Sequence, residues 1–149
     1  MMIREFRPDD VDRLYSIMIS SLDEYYRREV FFQFYSMWPQ GQLVACDIFD
    51  APVAFLFSSK AELGTARIML FAVSPEHRNK GIGQEILNRF RLVSLMSGVR
   101  NITLEVRENN EGAKRFYRKN GFKETGLIPN FYQDGGNGIR MDGPVQLNF

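Results

Sequence analysis

The chain has 149 residues, of which 44% are hydrophobic, 25% charged and 13% aromatic, and its formal net charge is +1. This length predicts a single domain over residues 1–149, and the composition excludes disordered, collagen-like and coiled-coil proteins. The near-zero net charge gives no reason to expect a nucleic-acid partner. The single cysteine and the single histidine exclude a disulfide framework and a zinc finger. The chain has no long apolar run, which excludes a membrane span, and its charged N-terminus excludes a signal peptide. We therefore expect a cytoplasmic protein with no metal and no membrane partner.

The first half of the chain predicts a strand, two helices and three further strands. Residues 2–6 form a short strand, and Pro8-Asp9-Asp10 starts a helix with acidic residues in its first turn. This helix carries an apolar stripe at helical spacing, made of Val11, Leu14, Tyr15, Met18 and Leu22. A second helix covers 28–37 and ends at Trp38, because a proline disfavours helix in the residue before it. Strands over 43–48, 52–58 and 66–73 then form an antiparallel meander.

The second half of the chain predicts helices that alternate with strands. An apolar stripe places a helix over 81–96, and a strand follows over 101–106. The next helix covers 109–120 and stops at Gly121, a residue that favours left-handed geometry. The rest of the chain is predicted as a strand over 122–127, a loop over 129–138 and a last strand over 139–147. This order predicts a mixed α/β sheet with helices on both faces.

The loop before the third helix has features of a phosphate site. Gly81 and Gly83 allow backbone amides to approach a ligand closely, and the helix N-terminus supplies unpaired N–H groups. Arg78 and Lys80 add positive charge, and residues 78–119 carry ten Lys and Arg against four Glu. The loop is neither a P-loop nor a dinucleotide fingerprint, and we interpret it as a pyrophosphate cradle. A glycine helix cap beside solvated basic helix faces is the structural alternative.

Two motifs resemble the GNAT superfamily of N-acetyltransferases. The pattern Arg78-x-x-Gly81-x-Gly83, after a Val-x-Pro strand end, is similar to the family's acetyl-coenzyme A motif. The segment Leu104-Glu105-Val106-Arg107, followed by an Asn, an Ala, a Tyr and a Gly-Phe pair, resembles a second family segment. The resemblance covers residues 2–147. It implies the GNAT fold, a mixed and mostly antiparallel sheet with acetyl-coenzyme A in a splayed cleft between two neighbouring strands.

The resemblance also implies which residues bind acetyl-coenzyme A. The pantetheine arm would be hydrogen-bonded by the backbone of Phe71, Ala72 and Val73. The pyrophosphate would be held by the phosphate loop, which is defined as Arg78, Asn79, Lys80, Gly81, Ile82, Gly83 and Gln84. Asn110 would contact the coenzyme near its reactive end, and Tyr117 would lie near the sulfur.

Acetyl transfer needs an unprotonated amine and a proton for the leaving thiolate, and two residues fit these tasks. Tyr117 shares a helix face with Ala113 and Phe116, which predicts a packed ring and a hydroxyl held in place. The family resemblance implies that this hydroxyl donates the proton. A core tyrosine with a bonded hydroxyl is the alternative. Glu105 lies on the strand face opposite to Leu104 and would act as general base if it is desolvated. A solvent-facing glutamate is the alternative for that position.

Within the superfamily, the chain most resembles the N-terminal protein acetyltransferases, including the ribosomal-protein alanine N-acetyltransferases. In that subset a Glu twelve residues before a Tyr is similar to the Glu105–Tyr117 pair. The segment Leu22-Asp23-Glu24-Tyr25-Tyr26 resembles a degraded Leu-Pro-Glu-Asn-Tyr loop of subunits that acetylate nascent chains. The resemblance makes Glu24 a second candidate base and gives three candidate substrate contacts, Leu22, Glu24 and Tyr26. An exposed polar helix end is the alternative.

Phe131 and Tyr132 resemble the Tyr-Tyr segment that closes over the peptide in the same subset, with one hydroxyl lost at Phe131. The resemblance makes both residues candidate substrate contacts. Ordinary loop anchoring is the alternative for this segment.

The pKa of the acceptor separates two classes of amine. An α-amine has a pKa of ~7.7–8.0 and a lysine side chain ~10.4, so neutralising them at pH 7 costs about 1 and about 4.6 kcal/mol. One glutamate acting as base suffices for the first class, which favours a protein or peptide N-terminus as the partner. The alternatives are a small-molecule amine or lysine acetyltransferase and a non-catalytic coenzyme A-binding module.

Overall fold

The computed structural model describes residues 1–146, and its elements follow the predicted order. The elements are β1 (Met2–Glu5), α1 (Val11–Ser21), α2 (Glu29–Met37), β2 (Leu43–Cys46), β3 (Pro52–Glu62), β4 (Thr65–Val73), α3 (Ile82–Met96), β5 (Asn101–Arg107), α4 (Glu111–Lys119), β6 (Lys123–Ile128) and β7 (Gly138–Pro144). Single 3-10 turns precede α1, β2 and α3 at Pro8–Asp10, Pro39–Gly41 and Pro75–His77. Within residues 1–146, no helix is both long and apolar enough to cross a bilayer.

A seven-stranded sheet has the order β1-β2-β3-β4-β5-β7-β6. The pairs β1–β2, β2–β3, β5–β7 and β6–β7 are antiparallel. β4 and β5 pair in parallel through residues 65–67 and 101–103. The predicted mixed and mostly antiparallel sheet is therefore confirmed. The splayed cleft stays a prediction.

The chain divides into two compact units. The first unit contains residues 1–59 and 69–93, and aromatic rings fill its core. Phe57 packs edge-on against Phe31 and Phe6, with ring centroids 5.1 and 5.3 Å apart. Cys46 lies in the same core and is fully buried, so it contributes packing there. The assignment of one acetyltransferase domain to the whole chain stays a prediction.

The second unit contains residues 60–68 and 94–146. The burial pattern of β5 alternates along the strand, and Ile102, Leu104 and Val106 are the buried residues, as their period of two predicts. Phe122 packs over Gly143 so closely that a Cβ at Gly143 would lie 2.8 Å from the ring. Glycine is therefore required at that position of β7.

The end of β2 differs from the prediction. A strand that reaches residue 48 is wrong, because β2 ends at Cys46 and Asp47 turns the chain. The Asp47 carboxylate accepts hydrogen bonds from the N–H groups of Phe49 and Ala51 at 2.8 and 3.0 Å. An aspartate that caps its own turn in this way competes with strand pairing.

Two further strand ends differ from the predictions. β3 continues through Glu62 instead of ending at Ser58, and the chain turns at Gly64 with a φ of +79°. β7 ends at Pro144, and the predicted continuation to residue 147 reaches outside the described residues. The predicted stop of α4 is confirmed, because Gly121 has a φ of +86°.

Candidate active site

The phosphate loop leads directly into α3 in the first unit. Asn79 and Gly81 have φ values of +63° and +80°, and this pair of left-handed residues turns the chain into the helix. Ile82 is only 4% exposed and fixes the start of α3, whereas Arg78 and Lys80 are exposed. A Cβ at Gly81 would meet nothing within 4 Å. The residues therefore fit an anion that approaches the loop at the positive end of a 15-residue helix.

The end of β4 lies beside this loop. Phe71 and Val73 are half-buried and alternate with the buried Ala72. The carbonyl oxygen of Val73 accepts hydrogen bonds from Arg78 Nε at 3.2 Å and from Ser21 Oγ at 3.4 Å. The structure thus brings the predicted pantetheine strand, the phosphate loop and the end of α1 together within one unit.

The loop between α1 and α2 contains the predicted Leu22-Glu24-Tyr26 contacts. Leu22 ends α1 and packs against the aromatic core of the first unit. Glu24 is half-buried, while Tyr25 and Tyr26 are 61% and 39% exposed. The loop therefore presents two tyrosine rings at the surface beside one partly shielded carboxylate. The substrate contacts and the second candidate base stay predictions.

Tyr117 is held by aromatic packing on α4 in the second unit. Its ring is edge-on to Phe116 and Phe122, at centroid distances of 5.2 and 5.4 Å. Burial raises the pKa of Tyr117 well above its usual value, and the nearby Tyr132 raises it further. Tyr117 is 8% exposed, and its role as the proton donor stays a prediction. Because its pKa is raised, the hydroxyl stays protonated at neutral pH.

Glu105 lies on β5 with its side chain 5% exposed, so the alternative of a solvent-facing glutamate is wrong. Oε1 accepts a hydrogen bond from Arg67 Nε at 2.8 Å and a second one from Arg67 Nη2. Arg140 on β7 lies directly opposite in the strand register, with its Nε 3.8 Å from Oε2. Among the described residues no group hydrogen-bonds to Oε2, although that oxygen is buried. The carboxylate therefore has one bonded oxygen and one that is open to a donor.

The loop over 129–138 is anchored to the end of β5. The Arg107 guanidinium lies 4.2 Å from the centroid of the Tyr132 ring, and its Nη1 is 3.0 Å from Asp134 Oδ1. The Gly136 N–H also donates to Asp134, and these two partners hold the pKa of that carboxyl below its usual value. Phe131 packs edge-on against Tyr132, with the centroids 5.0 Å apart. The loop is therefore anchored to the end of β5, and the substrate contacts of Phe131 and Tyr132 stay predictions.

Sequence reasoning did not assign roles to Arg67 and Arg107. Arg107 stood inside the second family segment, but its position beside the aromatic loop depends on the fold. Arg67 shares the half-buried face of β4 with Phe71 and Val73, which the alternation along that strand could have indicated. Asn110 caps α4, since its Oδ1 accepts the Ala113 N–H at 3.0 Å. Its predicted coenzyme contact stays a prediction.

The chain is similar to known acetyltransferases. The profile of the acetyltransferase (GNAT) family matches residues 11–122. A putative ribosomal protein bS18-alanine N-acetyltransferase of Bacillus subtilis is 25% identical over 134 residues, which cover 90% of this chain and 88% of the relative. An N-alpha-acetyltransferase of Sulfurisphaera tokodaii is 27% identical over 155 residues, covering 96% and 92% of the two chains.

A solved structure of a similar protein has the same fold. The crystal structure of Ard1 from Thermoplasma volcanium has a TM-score of 0.93 and 35% sequence identity, and the match covers 98% of each chain. Residues 1–146 contain no cluster of three His, Cys, Asp or Glu side chains that could hold a metal. The chain belongs to the GNAT family and is an N-acetyltransferase that depends on acetyl-coenzyme A.

Proposed function

We propose that this enzyme transfers the acetyl group to the α-amine of a protein or peptide N-terminus. The observation that carries the proposal is the carboxylate of Glu105, which is buried and has one oxygen without a hydrogen-bond donor. A buried carboxylate oxygen that has no hydrogen-bond donor can accept one proton from an amine of moderate basicity. The relatives named as N-alpha and ribosomal-protein alanine acetyltransferases support the same class of acceptor.

Acetyl-coenzyme A supplies the activated acetyl group as a thioester. The residues proposed to bind it are those of the phosphate loop and of the β4 backbone, together with Asn110. The open space at Gly81 and the exposed charges of Arg78 and Lys80 support this assignment. Negative phosphates would be held by the N–H groups at the start of α3 and by these two cations.

Two residues are proposed to move protons. Glu105 takes the proton of the attacking amine through Oε2, and Tyr117 donates a proton to the leaving thiolate. The packed ring of Tyr117 supports its role, because a positioned donor needs a fixed ring. The raised pKa of Tyr117 keeps that proton in place over the physiological pH range.

The two loops are proposed to contact the first residues of the acceptor peptide. The first loop offers Leu22, Glu24 and Tyr26, and the second offers Phe131 and Tyr132. Their aromatic rings stand partly exposed, as a peptide-binding surface requires. In this proposal Glu24 contacts the peptide and Glu105 is the base. A cytoplasmic location, which would give access to newly made proteins, belongs to the same proposal.

The experiment is an acetyl-coenzyme A turnover screen with the purified chain. Short peptides with varied first two residues are compared with polyamines, aminoglycosides and free lysine at equal concentration. The proposal expects acetylation of the α-amine in at least one group of peptides, with kcat/KM well above that of every rival amine. A rival amine turned over faster than all peptides would replace the proposal with a small-molecule or lysine acetyltransferase.

A further inference from the structure

We propose that Arg67 is a positioning residue for acetyl transfer, which holds the Glu105 carboxylate so that Oε2 alone faces the acceptor amine. The inference rests on the proposed role of Glu105 as the base. It adds a residue from a different strand that acts through Glu105 and does not itself touch the amine.

The geometry of the pair distinguishes the two carboxylate oxygens. Both Nε and Nη2 of Arg67 donate to Oε1, and neither donates to Oε2. A guanidinium commonly binds a carboxylate through both oxygens, with two parallel hydrogen bonds. Here both hydrogen bonds go to Oε1, so Oε2 is left for another donor. The Arg67 side chain is 32% exposed and that of Glu105 5%, so the pair reaches from the surface into the unit.

The sheet register explains why Arg67 can reach this carboxylate. Arg67 pairs with Thr103 in the parallel β4–β5 ladder, and Glu105 is two residues beyond Thr103 on the same face of β5. Arg140 approaches from β7 on the other side, but its Nε lies 3.8 Å from Oε2, beyond hydrogen-bond distance. Both guanidiniums form ion pairs with the Glu105 carboxylate.

A buried carboxylate oxygen without a donor is costly, which indicates that the arrangement serves a ligand. Arg67 compensates the buried charge of Glu105, and Oε2 is the oxygen that still lacks a hydrogen-bond donor. In the reaction, the amine nitrogen forms a bond to the acetyl carbon and loses a proton to Oε2. The carbon–sulfur bond breaks, its electron pair leaves with sulfur, and Tyr117 supplies the proton to the thiolate. Arg67 keeps its own protons throughout.

The test is a double-mutant cycle between Arg67→Met and Glu105→Gln, measured with the best acceptor from the turnover screen. Methionine keeps much of the side-chain length but removes the guanidinium. We expect Arg67→Met to lower kcat/KM about 10- to 100-fold, because misplacing a reacting group by about 1 Å costs that much. The dissociation constant for acetyl-coenzyme A should change less than about twofold.

In the Glu105→Gln background, adding Arg67→Met should change kcat/KM by less than about twofold. Arg67→Lys, which keeps the charge but not the paired N–H donors, should recover part of the loss. Arg140→Met is the matched control for loss of a guanidinium beside Glu105 and should cost less than about threefold. Equal losses from Arg67→Met in both backgrounds, or a silent Glu105→Gln, would overturn the proposal.

The readout also separates this inference from the proposed function. If the best acceptor is a polyamine or a lysine side chain, the proposed acceptor class fails. The coupling between Arg67 and Glu105 can still be measured with that acceptor, and a large coupling would support the positioning role on its own. If a peptide is the best acceptor and no coupling is found, only the positioning role fails.

Discussion

Gly81 and Gly64 share a left-handed backbone conformation, with φ values of +80° and +79°, and a Cβ at either position would meet nothing within 4 Å. A β-branched residue at either site therefore introduces about 1–3 kcal/mol of backbone strain without a steric clash inside the protein. Only Gly81 lies in the phosphate loop. The two glycines thus separate the effect of strain from the effect on a bound coenzyme.

We predict that Gly81→Val and Gly64→Val lose similar amounts of unfolding free energy in denaturant titrations. Acetyl-coenzyme A affinity, measured by calorimetry on the folded proteins, should fall more than about tenfold in Gly81→Val alone. The reason is that a side chain on Gly81 occupies the space from which phosphates approach the backbone. Equal coenzyme affinities in the two variants would contradict the assignment of the phosphate loop.

The second prediction concerns the proton donor. Tyr117→Phe keeps the ring packing and removes the hydroxyl, so kcat should fall about 10²- to 10⁴-fold while the coenzyme dissociation constant stays near that of the wild type. Tyr35→Phe is the matched control, because the Tyr35 ring packs edge-on to Phe6 in the first unit, 5.4 Å between centroids. Steady-state kinetics check both variants. A loss smaller than about threefold in Tyr117→Phe would show that water protonates the thiolate.

The third prediction follows from the raised pKa of Tyr117. The folded chain holds this proton at pH values where the unfolded chain, with a tyrosine pKa of about 10, releases it. The free energy of unfolding should therefore decrease as the pH rises above about 10, since the contribution is complete only below the unfolded value. Burial raises the pKa of the Cys46 thiol to about 11, which adds a decrease of the same sign. Denaturant titrations at several alkaline pH values should give a shallower slope for Tyr117→Phe and for Cys46→Ala. Slopes equal to that of the wild type would contradict the burial of these groups.

The fourth prediction distinguishes the two candidate carboxylates. Glu105→Gln removes the proposed base at nearly constant volume, so the rate should follow the ionisation of the acceptor amine instead of an enzyme group. Glu24→Gln should mainly raise KM for the peptide, because its loop would contact the first residues of the substrate. The measurement is the pH profile of kcat/KM for each variant. If Glu24 controls the profile and Glu105→Gln is nearly silent, the base role moves to the first loop.

Most of the helices and strands could be predicted from local sequence patterns, because these patterns depend on interactions between residues that are close in sequence. The apolar stripes located α1 and α3, and Gly121 marked the end of α4 through its left-handed conformation. The end of β2 was missed because the Asp47 side chain, and not the apolar Ile48, decides where that strand stops. Ile48 is 87% exposed, so its preference for a strand does not extend β2.

The candidate site was predictable only where a motif kept its residues adjacent in sequence. The pairing of Arg67 with Glu105 joins residues 38 positions apart, and it depends on the register between β4 and β5. Periodicity places Glu105 on a face of its strand but carries no information on that register. For the same reason, the stacking of Arg107 on Tyr132 could not be read from the sequence.

The central claim is that the acceptor is an α-amine, and a matched pair of peptides tests it most directly. One peptide has a free N-terminus and no lysine, and the other has the same residues with a blocked N-terminus and one internal lysine. With saturating acetyl-coenzyme A at pH 7, mass spectrometry locates the product and gives kcat/KM for each peptide. The account predicts acetylation of the free N-terminus at more than about 100 times the rate of the lysine, because the two amines differ by about 2.5 pKa units. Faster acetylation of the lysine peptide would contradict it.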